Sequence, residues 1–189
     1  MSNGAKRNLI AKYKRLLSSM LSDDDMEHYI GGSKAKILKY SELANYNNLA
    51  ELLPDKKDYR IILTESKRNQ GHWCCIVRDG KTIIWFDSYG IKPDGELRFI
   101  PTEVRRMLGE TEHQLTRLFK TADPSETVIY NKKKLQQLSD DVDTCGRWTI
   151  AFIAMNQLGY SLEDFIDKIE QISEDTGKPS DIIVCDWIQ

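Results

Sequence analysis

Three short apolar runs constrain this chain more than anything else in it. Residues 59–64, 72–77 and 82–86 are rich in β-branched and aromatic side chains and show no polar face. Runs of that length read as strands, and strands that are apolar on both sides need cover on both sides. Asp79-Gly80, between the second and third runs, is a hairpin signal. Residues 127–130 read as a further strand. The cover comes from helical periodicity elsewhere. Leu9, Ile10, Tyr13, Leu16, Leu17, Met20 and Leu21 recur at helical spacing. Ser22 before Asp23-Asp24-Asp25 reads as a cap and an acidic first turn, closed by Gly31-Gly32. Ser41 heads a helix carrying Leu43, Tyr46, Leu49 and Leu52, which Pro54 stops. After a loop at Gly90, Pro93 and Gly95, helical stretches follow at 102–108 and 111–121. Residues 145–158 form an almost wholly apolar helix ending at Gly159. Ser161 and Asp164 form a capping box for an amphipathic helix through Ile172. The pattern is that of an α+β fold: a mixed, mainly antiparallel central sheet flanked by helices.

The 189 residues fit one domain in three consecutive parts: a helical region over 1–55, the sheet over 59–130 and a second helical region over 131–189. A formal net charge of −2 argues against bulk attraction to nucleic acid or an anionic membrane. Basic residues do cluster at Lys6, Arg7, Lys12, Lys14 and Arg15, and again at 132–134. Both clusters fit a solvated helix face and a loop, with a weak nucleic-acid contact as the alternative. The four cysteines are Cys74, Cys75, Cys145 and Cys185, with no CxxC pair and no Cys/His metal spacing. No metal and no cofactor is expected. Cys74 and Cys75 point to opposite strand faces and, with Cys185, read as small buried hydrophobes in a reducing compartment. The sequence has no secretory leader and no apolar run of membrane-spanning length, so the expectation is a protein that is neither secreted nor membrane-bound. A monomer is the expected state.

Chemistry concentrates in Thr144-Cys145-Gly146-Arg147-Trp148. Cys145 opens a helix, where orphan N–H groups and the positive end of the dipole favour a thiolate. Its own N–H is a candidate oxyanion donor, and Gly146 lets a substrate carbonyl come close. Asp140, Asp141 and Asp143 oppose a negative sulfur unless they point to solvent, so a cationic partner is needed. His72, at the start of a strand, is the candidate. Counting outward from a turn that pairs Arg78 with Lys81 brings Asp87 opposite His72 on the same face, where it would fix the imidazole tautomer. A β-bulge would shift that count. Asp87 also fits an Asx-turn into Ser88-Tyr89-Gly90. Gln136 or Gln137, shortly before the cysteine, offers an amide for a second oxyanion donor. Trp73 and Trp148 fit either a core or the wall of a substrate cleft. A buried helical cysteine and a structural histidine remain the plain alternatives for Cys145 and His72.

His72-Trp73, Asp87, a glutamine and then Cys145-Gly146, in that order, resemble the adenovirus-type and ubiquitin-like-protein-specific cysteine peptidases. Trp85-Phe86-Asp87-Ser88-Tyr89-Gly90, Thr144-Cys145-Gly146-Arg147-Trp148 and the segment 37–43 are similar to forms in maturation proteases of virophages, Mavirus-like and polinton-like, and related DNA viruses. The resemblance covers roughly 59–160. It implies a permuted papain-like arrangement, with His72 as base, Asp87 as its orienter and Cys145 as nucleophile. The family glutamine falls at Gln136 or Gln137. The substrate implied is a capsid or core precursor cut at small Gly-containing sites, in the virion or the host-cell cytoplasm, with a peptide or DNA as a possible activator. Gly31-Gly32-Ser33 has the look of such a site, although a helix stop explains it better. The alternatives are an isopeptidase that removes ubiquitin-like proteins, an acetyltransferase on the same fold, and a binding module that retains the triad as a relic.

Overall fold

The computed structural model describes residues 3–31 and 36–189. Its centre is a five-stranded sheet in the order β1 (Ile37–Lys39), β2 (Lys57–Lys67), β3 (Gln70–Asp79), β4 (Thr82–Phe86) and β5 (Thr127–Tyr130). β2, β3 and β4 form an antiparallel meander, while β1 and β5 join its two edges in parallel. The sheet is therefore mixed and the class α+β, as expected. β1 is too short to show a period. β2 and β3 run past their apolar cores into polar residues, because ladder hydrogen bonds do not require apolar side chains.

Among the described residues, eight α-helices surround the sheet: α1 (Asn3–Leu17), α2 (Asp23–Ile30), α3 (Leu49–Leu52), α4 (Thr102–Leu108), α5 (Gln114–Phe119), α6 (Cys145–Gln157), α7 (Leu162–Thr176) and α8 (Ser180–Trp187). The period-two alternation of strands sorts the core into two. Ile61, Leu63, Trp73, Cys75, Val77, Ile84 and Phe86 pack with Met26 of α2 and with α6, α7 and α8. Ile62, Cys74, Ile76, Ile83 and Trp85 pack with Tyr40, Leu43, α3 and α5. Cys74 and Cys75 thus enter different cores, and all four cysteines are free and buried. The expected cap at Ser22 and the expected capping box at Ser161 both form, and Ser22 also closes a capping box, with Asp25 as Ser161 does with Asp164. Gly31 closes α2 in the left-handed region. Gly32 and Ser33, and the side chain of Lys6, lie outside the described residues. The exposed Lys132, Lys133 and Lys134 form a solvated loop, with Lys133 paired to Glu170. Among the described residues, no helix is long and apolar enough to cross a membrane.

Several elements differ from expectation. The helix headed by Ser41 is two pieces, a 3-10 turn over Tyr40–Asn45 and then α3. The Asn48 side chain accepts the Glu51 N–H at 2.9 Å, starting a new helix where the old one would have continued. α1 stops at Leu17, so Met20 and Leu21 lie in the following link. α8 has no counterpart in the sequence reading. The hairpin also pairs differently. Gly80 takes the positive φ, 63°, that the first loop position of this turn adopts. Asp79 then gains one more rung, opposite Thr82 in β4 and Lys57 in β2. The loop is therefore Gly80-Lys81, and every partner across β3 and β4 moves by two residues from the expected count.

Candidate active site

The β3–β4 ladder ends at Cys75 opposite Phe86. Extended one residue further, its register brings Asp87 level with Cys74, so His72 does not lie opposite Asp87 as the turn count predicts. His72, Cys74 and Asp87 nevertheless share a face. The imidazole reaches Asp87 along the diagonal, with Nε2 3.3 Å from Oδ1, a geometry within reach of long side chains. The expected contact thus forms by a different route. The Tyr89 ring, in the turn after β4, stacks on the imidazole at 4.8 Å and 21°.

Both readings of Asp87 hold at once. Its Oδ1 also accepts the Tyr89 N–H at 2.7 Å, forming the Asx-turn. Gly90, at φ 70°, lies so close to the backbone of Lys132 and Lys133 that a Cβ there would meet it at 2.8–2.9 Å. Asn131 ties the turn to that segment: its Oδ1 accepts from Asp87 N at 2.9 Å and its Nδ2 donates to Asp87 O at 2.6 Å. The Leu135 and Gln136 N–H groups both donate to Ser88 O at 2.9 Å.

Cys145 is the first residue of α6, after a non-helical Thr144, so its N–H is one of the orphan donors of a helix start. It shares a cleft of about 220 Å³ with His72, Tyr89, Glu96, Gln136 and Asp143. Asp140 and Asp141 are exposed, which leaves only half-buried Asp143 of the three aspartates in the cleft. The His72 environment favours a charged ring. Burial pushes its pKa down, but Cys74, Glu96 and hydrogen bonds to Asp87 and Cys145 raise it well above the ordinary value. Burial holds the Cys74 thiol protonated, which leaves Glu96, Asp87 and the Cys145 sulfur as the groups that support an imidazolium at neutral pH. Glu96 Oε1 stands 3.6 Å from Nε2.

The helix tip is anchored by Asp181 of α8, which is buried. Its carboxylate accepts from the Thr144 hydroxyl, from Trp148 Nε1 at 2.9 Å and from Gln137 N at 2.8 Å. Arg147, also buried, donates to Ile188 O and Ser19 O. Of the two glutamines, the structure brings Gln136 to the cleft. Gln137 and Leu138 are exposed, and Gln137 reaches the site region only through its backbone. The Gln136 side chain accepts from Ser88 Oγ at 2.7 Å and donates to Tyr89 Oη and Val142 O, each at 3.1 Å.

Two expected cleft residues belong to the core instead. Trp148 is fully buried, with its N–H spent on Asp181. Gly146 is buried under Leu21 and Met26, and a Cβ there would meet Leu21 Cβ at 3.1 Å. Its lack of a side chain serves the packing of α6 against that segment. Trp73 is almost buried, donates to Leu21 O at 3.1 Å, and lines a neighbouring groove of about 770 Å³.

Glu96, Asn131 and Asp181 are the residues of this region that the sequence reading missed, together with any role for Tyr89. Their one signal is polarity amid apolar neighbours. Donor atoms of His72, Cys74, Asp87 and Glu96 lie within 4.8 Å of one another, a mixed N, S and O set that suits a divalent transition metal. A metal there would take the same imidazole and Asp87 that form the pair, so the two uses exclude each other.

No family model matches the chain. It is 31% identical over 137 residues to the uncharacterized protein V9 of Sputnik virophage, which covers 71% of this chain and 77% of that protein. The chain belongs to this virophage protein family. Among solved structures, AvrA delL154 with IP6 and CoA aligns with a TM-score of 0.44 at 14% identity, over 84% of this chain and 61% of that one. The central domain of the uncharacterized Lpg1148 protein from Legionella pneumophila aligns with a TM-score of 0.41 at 17% identity, over 90% and 96%.

Proposed function

We propose that this protein is a cysteine endopeptidase of the adenovirus-type and ubiquitin-like-protein-specific kind that cuts capsid precursors during particle maturation. The observation that carries the proposal is one cleft holding Cys145 at the tip of α6 and His72, whose Nε2 meets Asp87 at 3.3 Å. In this reading the Cys145 sulfur, charged against the His72 imidazolium, attacks a peptide carbonyl. The S–C bond forms and the carbonyl electron pair moves to oxygen. The Cys145 N–H and the Gln136 side of the cleft receive that oxyanion. His72 gives its proton to the leaving amine as the C–N bond breaks. Water, with its proton taken by His72, then releases the acyl group from sulfur. The 1–189 chain acts as one catalytic domain, a monomer working in the host-cell cytoplasm and the virion.

The test is co-expression with the co-encoded capsid protein. Cys145→Ala should leave that protein uncut while wild type processes it. Equal processing by both would reject the proposal. Labelling of Cys145 by a ubiquitin-like electrophilic probe, with the capsid protein left intact, would replace it with deconjugation. Acetyl transfer from acetyl-CoA without cleavage would replace it with acyl transfer.

A further inference from the structure

The hydrogen-bond count around Gln136 leads past the amide itself. A glutamine amide has two N–H donors. The oxygen and nitrogen ends are fixed here by their partners: Val142 C=O can only accept, so the group facing it must be Nε2. The Ser88 hydroxyl then donates to Oε1 at 2.7 Å. The second amide proton goes to Tyr89 Oη at 3.1 Å. Both donors are thus engaged within the protein, and the side chain is only 1% exposed. Gln136 has no proton left for an oxyanion.

Tyr89 does. Its oxygen accepts from Gln136, and its own proton has no acceptor among the described residues. Tyr89 lines the cleft with Cys145 and His72, and its Oη lies beside Gln136, which lines the same cleft. Burial pushes the phenol up to about 12, with His72 lowering it and the Cys145 sulfur raising it, so the group stays a donor throughout the working range. The ring is held by its stack on His72, and the backbone by Asp87 Oδ1 on its N–H. A phenol that already accepts one hydrogen bond is a better donor in the next.

We infer that the Tyr89 hydroxyl is the side-chain oxyanion donor, and that Gln136 is a positioning residue acting through it. This deepens the peptidase reading and rests on it. When Cys145 sulfur bonds to the carbonyl carbon, the electron pair displaced onto oxygen is met by Tyr89 O–H and Cys145 N–H. No proton is transferred at this step. When the C–N bond breaks, the pair returns to the carbonyl and the Tyr89 bond weakens.

The test compares Tyr89→Phe, Gln136→Ala and the double variant in two assays. The first is single-turnover cleavage of the capsid precursor. The second is Cys145 alkylation by iodoacetamide, which consumes the same thiolate but builds no oxyanion. Tyr89→Phe keeps the ring on His72, so alkylation and its pH profile should stay within about twofold of wild type. Cleavage should fall about 10²-fold, the usual loss for one oxyanion donor. Gln136→Ala should fall comparably, and the double variant should fall little further. A Tyr89→Phe protein that cleaves within threefold of wild type, while Gln136→Ala loses 10²-fold, would return the role to the amide. Equal loss of cleavage and alkylation in Tyr89→Phe would move its role to the thiol–imidazole pair. Both outcomes overturn the inference while leaving the peptidase reading intact. Undiminished cleavage by Cys145→Ala would instead reject the reading beneath it.

Discussion

The two halves of the candidate site are built on different physics. His72 and Asp87 stand on β3 and at the end of β4, where strand alternation fixes the face of each side chain. Cys145, Gln136 and Asp143 stand on a helix tip and on the irregular chain before it. No local period holds that second half. It is held by buried polar anchors reaching in from elsewhere: Asn131 to Asp87, Ser88 O to two N–H groups, and Asp181 to Thr144, Gln137 and Trp148. The strand half can therefore lose a functional group with its fold intact. The other half cannot lose one of its anchors in the same way, because each anchor removed leaves buried donors without partners.

That contrast can be broken experimentally. Asp87→Asn keeps an acceptor for Tyr89 N–H while removing the charge that holds the imidazole. Its turnover of the capsid precursor should fall by about 10²–10⁴-fold, by analogy with orienting aspartates in other triads. Its urea midpoint should correspond to a stability change below about 1 kcal/mol. Asp181→Ala should show the opposite balance. Three donors lose their acceptor, and the cost should be about 2–4 kcal/mol by urea denaturation, with a fall in activity that follows the displaced helix tip. An Asp181→Ala protein as stable as wild type would show that the helix tip is held by other means. Gly146→Ala tests the packing reading of that glycine. The new methyl would press on Leu21, costing about 1–3 kcal/mol without direct loss of a substrate contact.

The smallest expected effect concerns pH. Burial, only partly offset by His72, raises Glu96 to about 7, with Asp87 and Glu110 adding to the rise. Above that value Glu96 is charged and supports the His72 imidazolium; below it Glu96 is neutral and gives no such support. Glu96→Gln removes a negative charge 3.6 Å from Nε2, so the ring loses its proton at lower pH. The alkaline limb of capsid-precursor cleavage, where the imidazolium loses the proton it gives the leaving amine, should move toward neutrality, while the rates near pH 6 converge with wild type. An alkaline limb that stays in place would show that Glu96 does not act on the ring.

The same division governs what could be read from the sequence. The apolar runs of β2, β3 and β4, the cap at Ser22, the capping box at Ser161 and the apolar helix from Cys145 are all local patterns, and the structure contains them. Cys145, His72 and Asp87 stand out by where they fall in those patterns. The hairpin register was not legible, because Asp79-Gly80 and Gly80-Lys81 both accommodate a glycine with positive φ. The His72–Asp87 contact survived that shift only because strands that slip by two residues keep their faces. The choice between Gln136 and Gln137 was closed to sequence reasoning, since Leu135 is buried and Leu138 is exposed. Trp148 and Gly146 look like cleft residues beside Cys145, yet a helix tip that turns one side chain toward a cleft packs its neighbours into the core. Asn131, Asp181 and Glu96 act across long stretches of chain, and no local pattern marks them.

The central claim is that Cys145 and His72 work as one reactive pair, and site-resolved alkylation tests it most directly. Native protein is treated with iodoacetamide at pH 6–7, and each cysteine is followed by mass spectrometry in wild type and in His72→Ala. Cys145 should react while buried Cys74, Cys75 and Cys185 stay unmodified, and His72→Ala should slow its reaction by at least about tenfold. A Cys145 that reacts no faster than the other three, or at the same rate without His72, would contradict the account.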